Sequence, residues 1–167
     1  MGAILMSLPI LQTKLYVPKQ QRQSNVVRRP RLLDRLDRGL AGKVTLLSAP
    51  AGFGKSTLVR EWIVECRAQY EAAARDAPAG MAAVRYVTWL TLDGDDNNPV
   101  RFLLYLAASL RKFAPALGES AWSLLQSPEP PLKTILTMLL NDVSSLGVEG
   151  EPPLRTYVLV LEDYHVI

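Results

Sequence analysis

The sequence predicts an α/β fold in which a parallel sheet of three strands carries helices on both faces. Two short apolar runs, residues 44–48 and 156–161, have the composition of strands that are covered on both sides. A third run, residues 84–92, is rich in β-branched and aromatic residues. Helical patterns of apolar residues separate these runs, and strands that alternate with helices are typical of a parallel sheet.

A loop of small residues joins the first predicted strand to the helix after it, with the sequence Ala49-Pro-Ala-Gly-Phe-Gly-Lys-Ser-Thr57. Gly52 and Gly54 lack a Cβ, so the backbone can adopt φ > 0 there and bring its N–H groups close to an anion. Lys55 adds a point charge, the Ser56 hydroxyl can ligate Mg²⁺, and the first turn of the helix adds unpaired N–H groups. This pattern indicates the phosphate-binding loop of a P-loop NTPase, with Ala49 in place of the usual first glycine. The predicted nucleotide-binding residues are Ala49, Gly52, Phe53, Gly54, Lys55, Ser56 and Thr57.

Two carboxylates follow the last apolar run directly. Strands of a parallel sheet present their carboxyl ends to the crevice where ligands bind, so Glu162 and Asp163 would lie at that edge. Such residues can hold Mg²⁺ and orient a water molecule for attack on a phosphate. In isolation they would be ordinary capping residues, but the loop upstream favours a catalytic pair. We therefore expect Glu162 and Asp163 to be catalytic, and Ser56 and Glu162 to be the magnesium ligands.

Proline, glycine and capping residues predict where the remaining helices begin and end. One helix is predicted to begin at Pro30 and to end near Gly39. Another is predicted to follow the capping residue Asn98. A short helix is expected over 119–126, and the clearest helical pattern runs from 132 to 146. The Ala-rich stretch 70–83 is predicted to be a loop.

The acidic group Asp93, Asp95 and Asp96 permits two interpretations. Three carboxylates in a short segment could ligate a metal ion, but Asp and Asn also cap turns and helices through their side-chain oxygens. Capping chemistry explains the segment better because it lies between a predicted strand and a predicted helix.

Composition limits the function classes. The chain has 167 residues and a net charge of +3, with 19 basic and 16 acidic residues, which is too balanced to indicate nucleic-acid binding. Eight basic residues between positions 14 and 38 are expected to be mostly solvated. No signal peptide is expected, no run of 18 apolar residues occurs, and the single cysteine, Cys66, permits no internal disulfide. A cytoplasmic protein without membrane contact is expected.

Several motifs together resemble the N-terminal part of the large ATP-binding, MalT-like members of the LuxR family of bacterial transcriptional regulators, which belong to the signal-transducing (STAND) P-loop ATPases. The similarity extends almost from end to end. Its segments are Leu11-Gln-Thr-Lys-Leu15, Val27-Arg-Arg-Pro-Arg-Leu-Leu33, Leu46 to Thr57, Glu61-Trp62, Trp89-Leu-Thr-Leu-Asp93, Asp96-Asn97, Arg101-Phe102, Ser127-Pro128 and Leu159-Val-Leu-Glu-Asp-Tyr-His165.

The resemblance implies ATP and Mg²⁺ as cofactors and a slow ATPase in the full-length regulator. It implies that Lys55 contacts the β- and γ-phosphates and that Val27 and Arg29 lie against the adenine. Glu162 and Asp163 would be the acidic pair of the Walker B strand. The family often has aspartate where this chain has Glu162, and the extra methylene bears on the direct metal contact.

The resemblance further implies a longer protein. Residues 1–40 would be a lead-in with a short helix, and residues 41–167 an incomplete P-loop NTPase domain that is truncated after the Walker B strand. Inducer and DNA would be contacted only by missing downstream domains, the full-length protein would self-associate, and the isolated fragment would be inactive. Two alternatives stay open, namely a P-loop metabolic kinase and a non-catalytic nucleotide-binding interaction module.

Overall fold

The computed structural model describes residues 10–18, 27–76, 84–146 and 155–167. These residues form two compact units. The described residues within Val17–Ala82 form one, which we call the loop unit. Those within Met1–Tyr16 and Ala83–Ile167 form the other, which we call the sheet unit.

The loop unit contains two helices, α1 (Pro30–Gly39) and α2 (Lys55–Asp76). Helix α1 has proline at its first position and glycine at its last, as predicted. Trp62 of α2 donates its indole Nε1–H to Asp37 Oδ1 of α1 at 3.0 Å, which ties the two helices together. Apolar residues at helical spacing form the buried stripe of α2: Leu58, Trp62, Ile63 and Cys66.

Residues 44–48 are not a strand in this structure, so that prediction is wrong. The side chains of Val44 and Leu46 are 86% and 84% exposed. An apolar run becomes a strand only when another strand pairs with its backbone, and no described residue does so here. The described part of the chain therefore contains two strands where the sequence predicted three.

The sheet unit contains those two strands, β1 (Val84–Thr91) and β2 (Arg155–Glu162), which pair in parallel as predicted. Their register places Val84 opposite Arg155 and Thr91 opposite Glu162. The Leu92 N–H donates to the Glu162 carbonyl at 3.0 Å and so continues the pairing past the end of β1. The carboxyl ends of the two strands consequently lie side by side.

Three helices supply most of the core of the sheet unit: α3 (Pro99–Leu110), α4 (Glu119–Leu125) and α5 (Leu132–Ser144). Asn98 caps α3, because its side-chain oxygen accepts from the N–H groups of Val100 and Arg101. The N-terminal segment joins this unit through a 3₁₀ turn at Gln12–Leu15. The main core cluster comprises Leu103, Leu104, Ala107, Leu110, Leu117, Ala121, Leu125, Ile135 and Leu139.

Three local predictions need correction. Helix α2 continues to Asp76, past the predicted loop start at residue 70, because the stretch Glu71-Ala-Ala-Ala-Arg75 consists of strong helix formers. Strand β2 is half-buried rather than fully buried, since among the described residues it has one strand neighbour. Helix α5 ends at Ser144, short of the predicted end at residue 146, and two leucines of the predicted helical pattern, Leu136 and Leu140, are exposed. The rest of the predicted loop, 77–83, lies outside the described residues.

Within the described residues, none of the helices combines the length and the apolar character that crossing a bilayer requires.

Candidate functional site

The loop between residues 49 and 54 has the backbone conformation that its glycines predict. Gly52 and Gly54 have φ of +81° and +78°, in the region where only glycine is unstrained. A Cβ built on Gly52 would meet no atom within 4 Å, so the loop is open on that side. Glycine is therefore required at these positions by the backbone conformation of the loop, and not by a close contact with other atoms of the protein.

Lys55 lies at the end of this loop and folds back over it. Its Nζ donates to the carbonyl oxygens of Ala49 at 2.8 Å and Pro50 at 3.1 Å. Arg29 reaches the same loop from the segment before α1, where its Nη1 donates to the Phe53 carbonyl at 3.2 Å. Two cationic side chains are thus gathered at one loop, where their acceptors among the described residues are backbone carbonyls.

The N-terminus of α2 opens directly at this loop. The Leu58 N–H donates to the Gly54 carbonyl at 2.9 Å and begins the helical ladder. The amides at 55–57 therefore belong to the first turn, whose N–H groups have no partner within a helix and favour an anion. Ser56 and Thr57 are half-buried here, and Phe53 is exposed. Val27, predicted to lie against an adenine, is 75% exposed.

The Glu162 carboxylate, in the sheet unit, is held by two side chains of β1. Its Oε2 accepts from the Thr91 hydroxyl at 3.0 Å and from the Trp89 Nε1–H at 3.2 Å. The same indole N–H also reaches the Thr91 Oγ1 at 2.9 Å. Sequence reasoning found Glu162 but missed Thr91 and Trp89, because only the register of the two strands reveals their proximity.

Asp163 follows with an unusual backbone. Its φ of +58° makes it the only non-glycine residue with positive φ in the part of the chain that the structure describes. Aspartate tolerates this region better than most residues, and such strain concentrates at functional sites. The Asp163 side chain is exposed, which suits a group that acts on solvent or substrate.

The oxygen donors predicted for magnesium fit that ion chemically. A serine hydroxyl and a carboxylate are hard ligands, which Mg²⁺ prefers to nitrogen or sulfur. The structure brings the loop residues and Arg29 together in the loop unit. In the sheet unit it brings Glu162 together with Thr91 and Trp89.

The acidic segment 93–96 is a cap, as its sequence favoured. The Asp93 side chain accepts from the Asp95 N–H at 3.1 Å, and the Asp96 Oδ2 accepts from the Asp93 N–H at 2.9 Å. The side chains of Asp93 and Asp96 each accept from the other residue's backbone N–H and so form a capping box at the start of the 3₁₀ turn Gly94–Asn97. Among the described residues, no group of three His, Cys, Asp or Glu side chains is placed to hold a metal ion.

Lys14, which the sequence placed in a solvated basic lead-in, is buried and paired. Its ammonium contacts Asp96 and lies 2.8 Å from Asp93 Oδ2, and it stands 4.7 Å from the centroid of the Tyr105 ring. Arg101 completes the group, with its Nε 3.0 Å from Asp96 Oδ1. Burial alone would lower the pKa of Lys14, but the hydrogen bonds to Asp93 and Asp96 raise it above the ordinary value. The hydrogen bond from Lys14 lowers the pKa of Asp93.

Comparison with known proteins places this chain near two kinds of bacterial protein. It is 34% identical over 142 residues to the serine/threonine-protein kinase PknK of Mycobacterium tuberculosis, an alignment that covers 84% of this chain and 11% of the kinase. It is 31% identical over 147 residues to the HTH-type transcriptional regulator MalT of Yersinia enterocolitica, which covers 87% of this chain and 14% of the regulator. MalT of Vibrio cholerae is 29% identical over the same length.

No protein-family model matches the sequence. The chain spans 11% to 14% of the length of the curated relatives it matches. These similarities support a distant relationship to MalT-type regulators.

Proposed function

We propose that this chain is the ATP-binding switch portion of a MalT-like, LuxR-family transcriptional regulator of the STAND class of P-loop ATPases. The observation that carries the proposal is the loop 49–54, which has two positive-φ glycines and leads straight into the first turn of α2 at Lys55. Backbone amides, an ammonium group and a helix N-terminus are the groups that bind phosphate in proteins.

The loop unit would bind the phosphates. The Lys55 ammonium would exchange the carbonyls of Ala49 and Pro50 for phosphate oxygens, which are stronger acceptors because they are charged. The amides of the loop and of the first turn of α2 would donate to the same phosphates. Arg29, which already contacts the Phe53 carbonyl, would border the nucleotide together with Val27.

The acidic residues would serve the reaction. Ser56 in the loop unit and Glu162 in the sheet unit are each proposed as a magnesium ligand, and Mg²⁺ when bound would neutralise developing charge on the phosphates. Asp163 would accept a hydrogen bond from a water molecule and orient it. Hydrolysis by such an arrangement is expected to be slow, as suits a switch.

The two kinds of relative support a shared regulatory part rather than kinase chemistry. Each alignment covers more than four-fifths of this chain, so the kinase and the regulators share most of the same segment. Because the kinase and the regulators both contain this segment, it is more simply explained as a part that they share than as the part that gives either protein its own activity. On this proposal the protein works in the cytoplasm, and DNA and inducer are contacted by other parts of the longer regulator.

Lys55→Ala tests the proposal. The change removes a charge-assisted contact, so ATP affinity in titration calorimetry should fall about tenfold to 150-fold. Lys43→Ala is the matched control, because this exposed lysine lies before the loop and should leave the affinity unchanged. Equal affinities for wild type and Lys55→Ala would contradict the phosphate-binding role. Tight binding without any hydrolysis in the full-length protein would favour the non-catalytic module instead.

A further inference from the structure

The carboxylate of Glu162 is oriented by β1, the neighbouring strand. Thr91 stands directly opposite Glu162 in the parallel register, and Trp89 lies two residues earlier on the same face of β1. Both side chains donate to one oxygen of the carboxylate, Oε2, and the single indole N–H is shared between that oxygen and the Thr91 Oγ1. Among the described residues, no group donates a hydrogen bond to Oε1. The protein therefore binds one oxygen of the carboxylate and leaves the other available for a ligand.

The direction of the Thr91 hydroxyl bond follows from its neighbours. The Thr91 Oγ1 lies 2.9 Å from the Trp89 indole nitrogen, which can only donate. The hydroxyl therefore accepts from the indole, and its single proton is available for the Glu162 Oε2. Trp89 is 1% exposed, so its ring has little freedom to turn away. The buried indole therefore orients the Thr91 hydroxyl, and the hydroxyl in turn orients the Glu162 carboxylate.

We propose that Thr91 and Trp89 are positioning residues for Glu162. They hold Oε2 at the carboxyl end of the sheet and leave Oε1 as the oxygen that is free to ligate Mg²⁺. This inference rests on the proposed nucleotide-binding function. The long, flexible side chain of Glu162 is thereby restrained by two donors from β1.

Thr88 provides an internal control for this proposal. It lies on the same strand and is 3% exposed, yet its hydroxyl has no hydrogen-bond partner within the described structure. Thr88→Val and Thr91→Val are the same chemical change in the same strand. Only the second removes a donor from Glu162, while Thr91→Ser keeps the hydroxyl.

The experiment uses the 167-residue chain and these three variants. Binding of a fluorescent ATP analogue is titrated without magnesium and then as a function of Mg²⁺ concentration. Thr91→Val should raise the Mg²⁺ concentration for half-saturation about tenfold, as is typical when a group that orients a metal ligand is lost. Affinity without magnesium should be unchanged. Thr91→Ser and Thr88→Val should behave like wild type.

A second readout needs no nucleotide. The indole ¹H–¹⁵N resonance of Trp89 should shift in Thr91→Val and in Glu162→Gln, but not in Thr88→Val. If Thr91→Val and Thr88→Val share one magnesium dependence while wild type binds the analogue, the positioning role is overturned and the proposed function stands. If wild type does not bind the analogue at all, the proposed function fails, and this inference with it.

Discussion

Lys14 is a buried charge whose contacts connect distant parts of the sheet unit. The side chains of Lys14 and Asp96 are 6% and 0% exposed, so both have left water. Such a pair is tolerated only when each charge keeps its partners, and here Asp93, Arg101 and the Tyr105 ring supply them. The N-terminal 3₁₀ turn is thereby fastened to the end of β1, some 80 residues away in sequence.

Replacing Lys14 should therefore destabilise the sheet unit. Lys14→Met keeps the aliphatic stem but leaves Asp96 with only the Arg101 guanidinium and the Asp93 N–H as partners among the described residues. We therefore expect a loss of about 3 kcal/mol, at the lower end for a buried pair broken from one side. Hydrogen exchange of the β1 amides would report the loss within this unit. Lys133→Met, at an exposed position on α5, is the matched control and should change little. Similar protection in both variants would show that the pair contributes no net stability.

At the scale of elements, α4 begins at a glycine that the packing requires. Gly118 has φ of +70°, and its N–H donates to Asp142 Oδ2 of α5 at 2.8 Å. A Cβ built there would lie 3.2 Å from Leu139 Cδ2 and 3.4 Å from Ala107 Cβ. This position thus combines an unusual backbone with close contacts to α3 and α5.

Gly118→Ala should lower the stability of the chain by about 1–2 kcal/mol, because alanine is strained at positive φ and the Leu139 methyl group must move. The urea concentration at the midpoint of unfolding measures this. Gly94→Ala is a suitable control, since a Cβ there meets nothing within 4 Å and the residue has no positive φ. A midpoint for Gly118→Ala as high as for Gly94→Ala would mean that α4 shifts without cost.

The sequence predicts features that depend on adjacent residues, but it does not predict side-chain contacts between residues that are far apart in the chain. Pro30, Asn98 and Pro99 marked helix starts correctly because capping depends on adjacent residues. The two paired strands were also predicted, together with the loop at 49–54 that leads into α2. The Thr91 contact to Glu162 depends on a register between strands 71 residues apart, so no local pattern announces it. Lys14 was misjudged for the same reason.

At the scale of the whole molecule, the segment 44–48 is the clearest conflict between local preference and structure. Its residues favour a strand, yet no strand in the described part of the chain pairs with their backbone, and the side chains of Val44 and Leu46 are almost fully exposed. Unpaired backbone beside exposed apolar side chains is a template for pairing with another chain. We therefore expect the 167-residue chain to self-associate through this segment.

The double variant Val44→Thr, Leu46→Thr should reduce that association, because it keeps strand-compatible side chains but adds a hydroxyl to each. Sedimentation velocity over a range of concentrations would show a larger monomer fraction than in wild type. Val64→Thr is the control: Val64 is 64% exposed as well, but it lies within α2, where the helix already pairs the backbone. If Val64→Thr raised the monomer fraction as much as the double variant did, general surface hydrophobicity would be the cause. If neither variant changed it, the association would have to arise elsewhere, with the exposed Leu136 and Leu140 of α5 as the next surface to test.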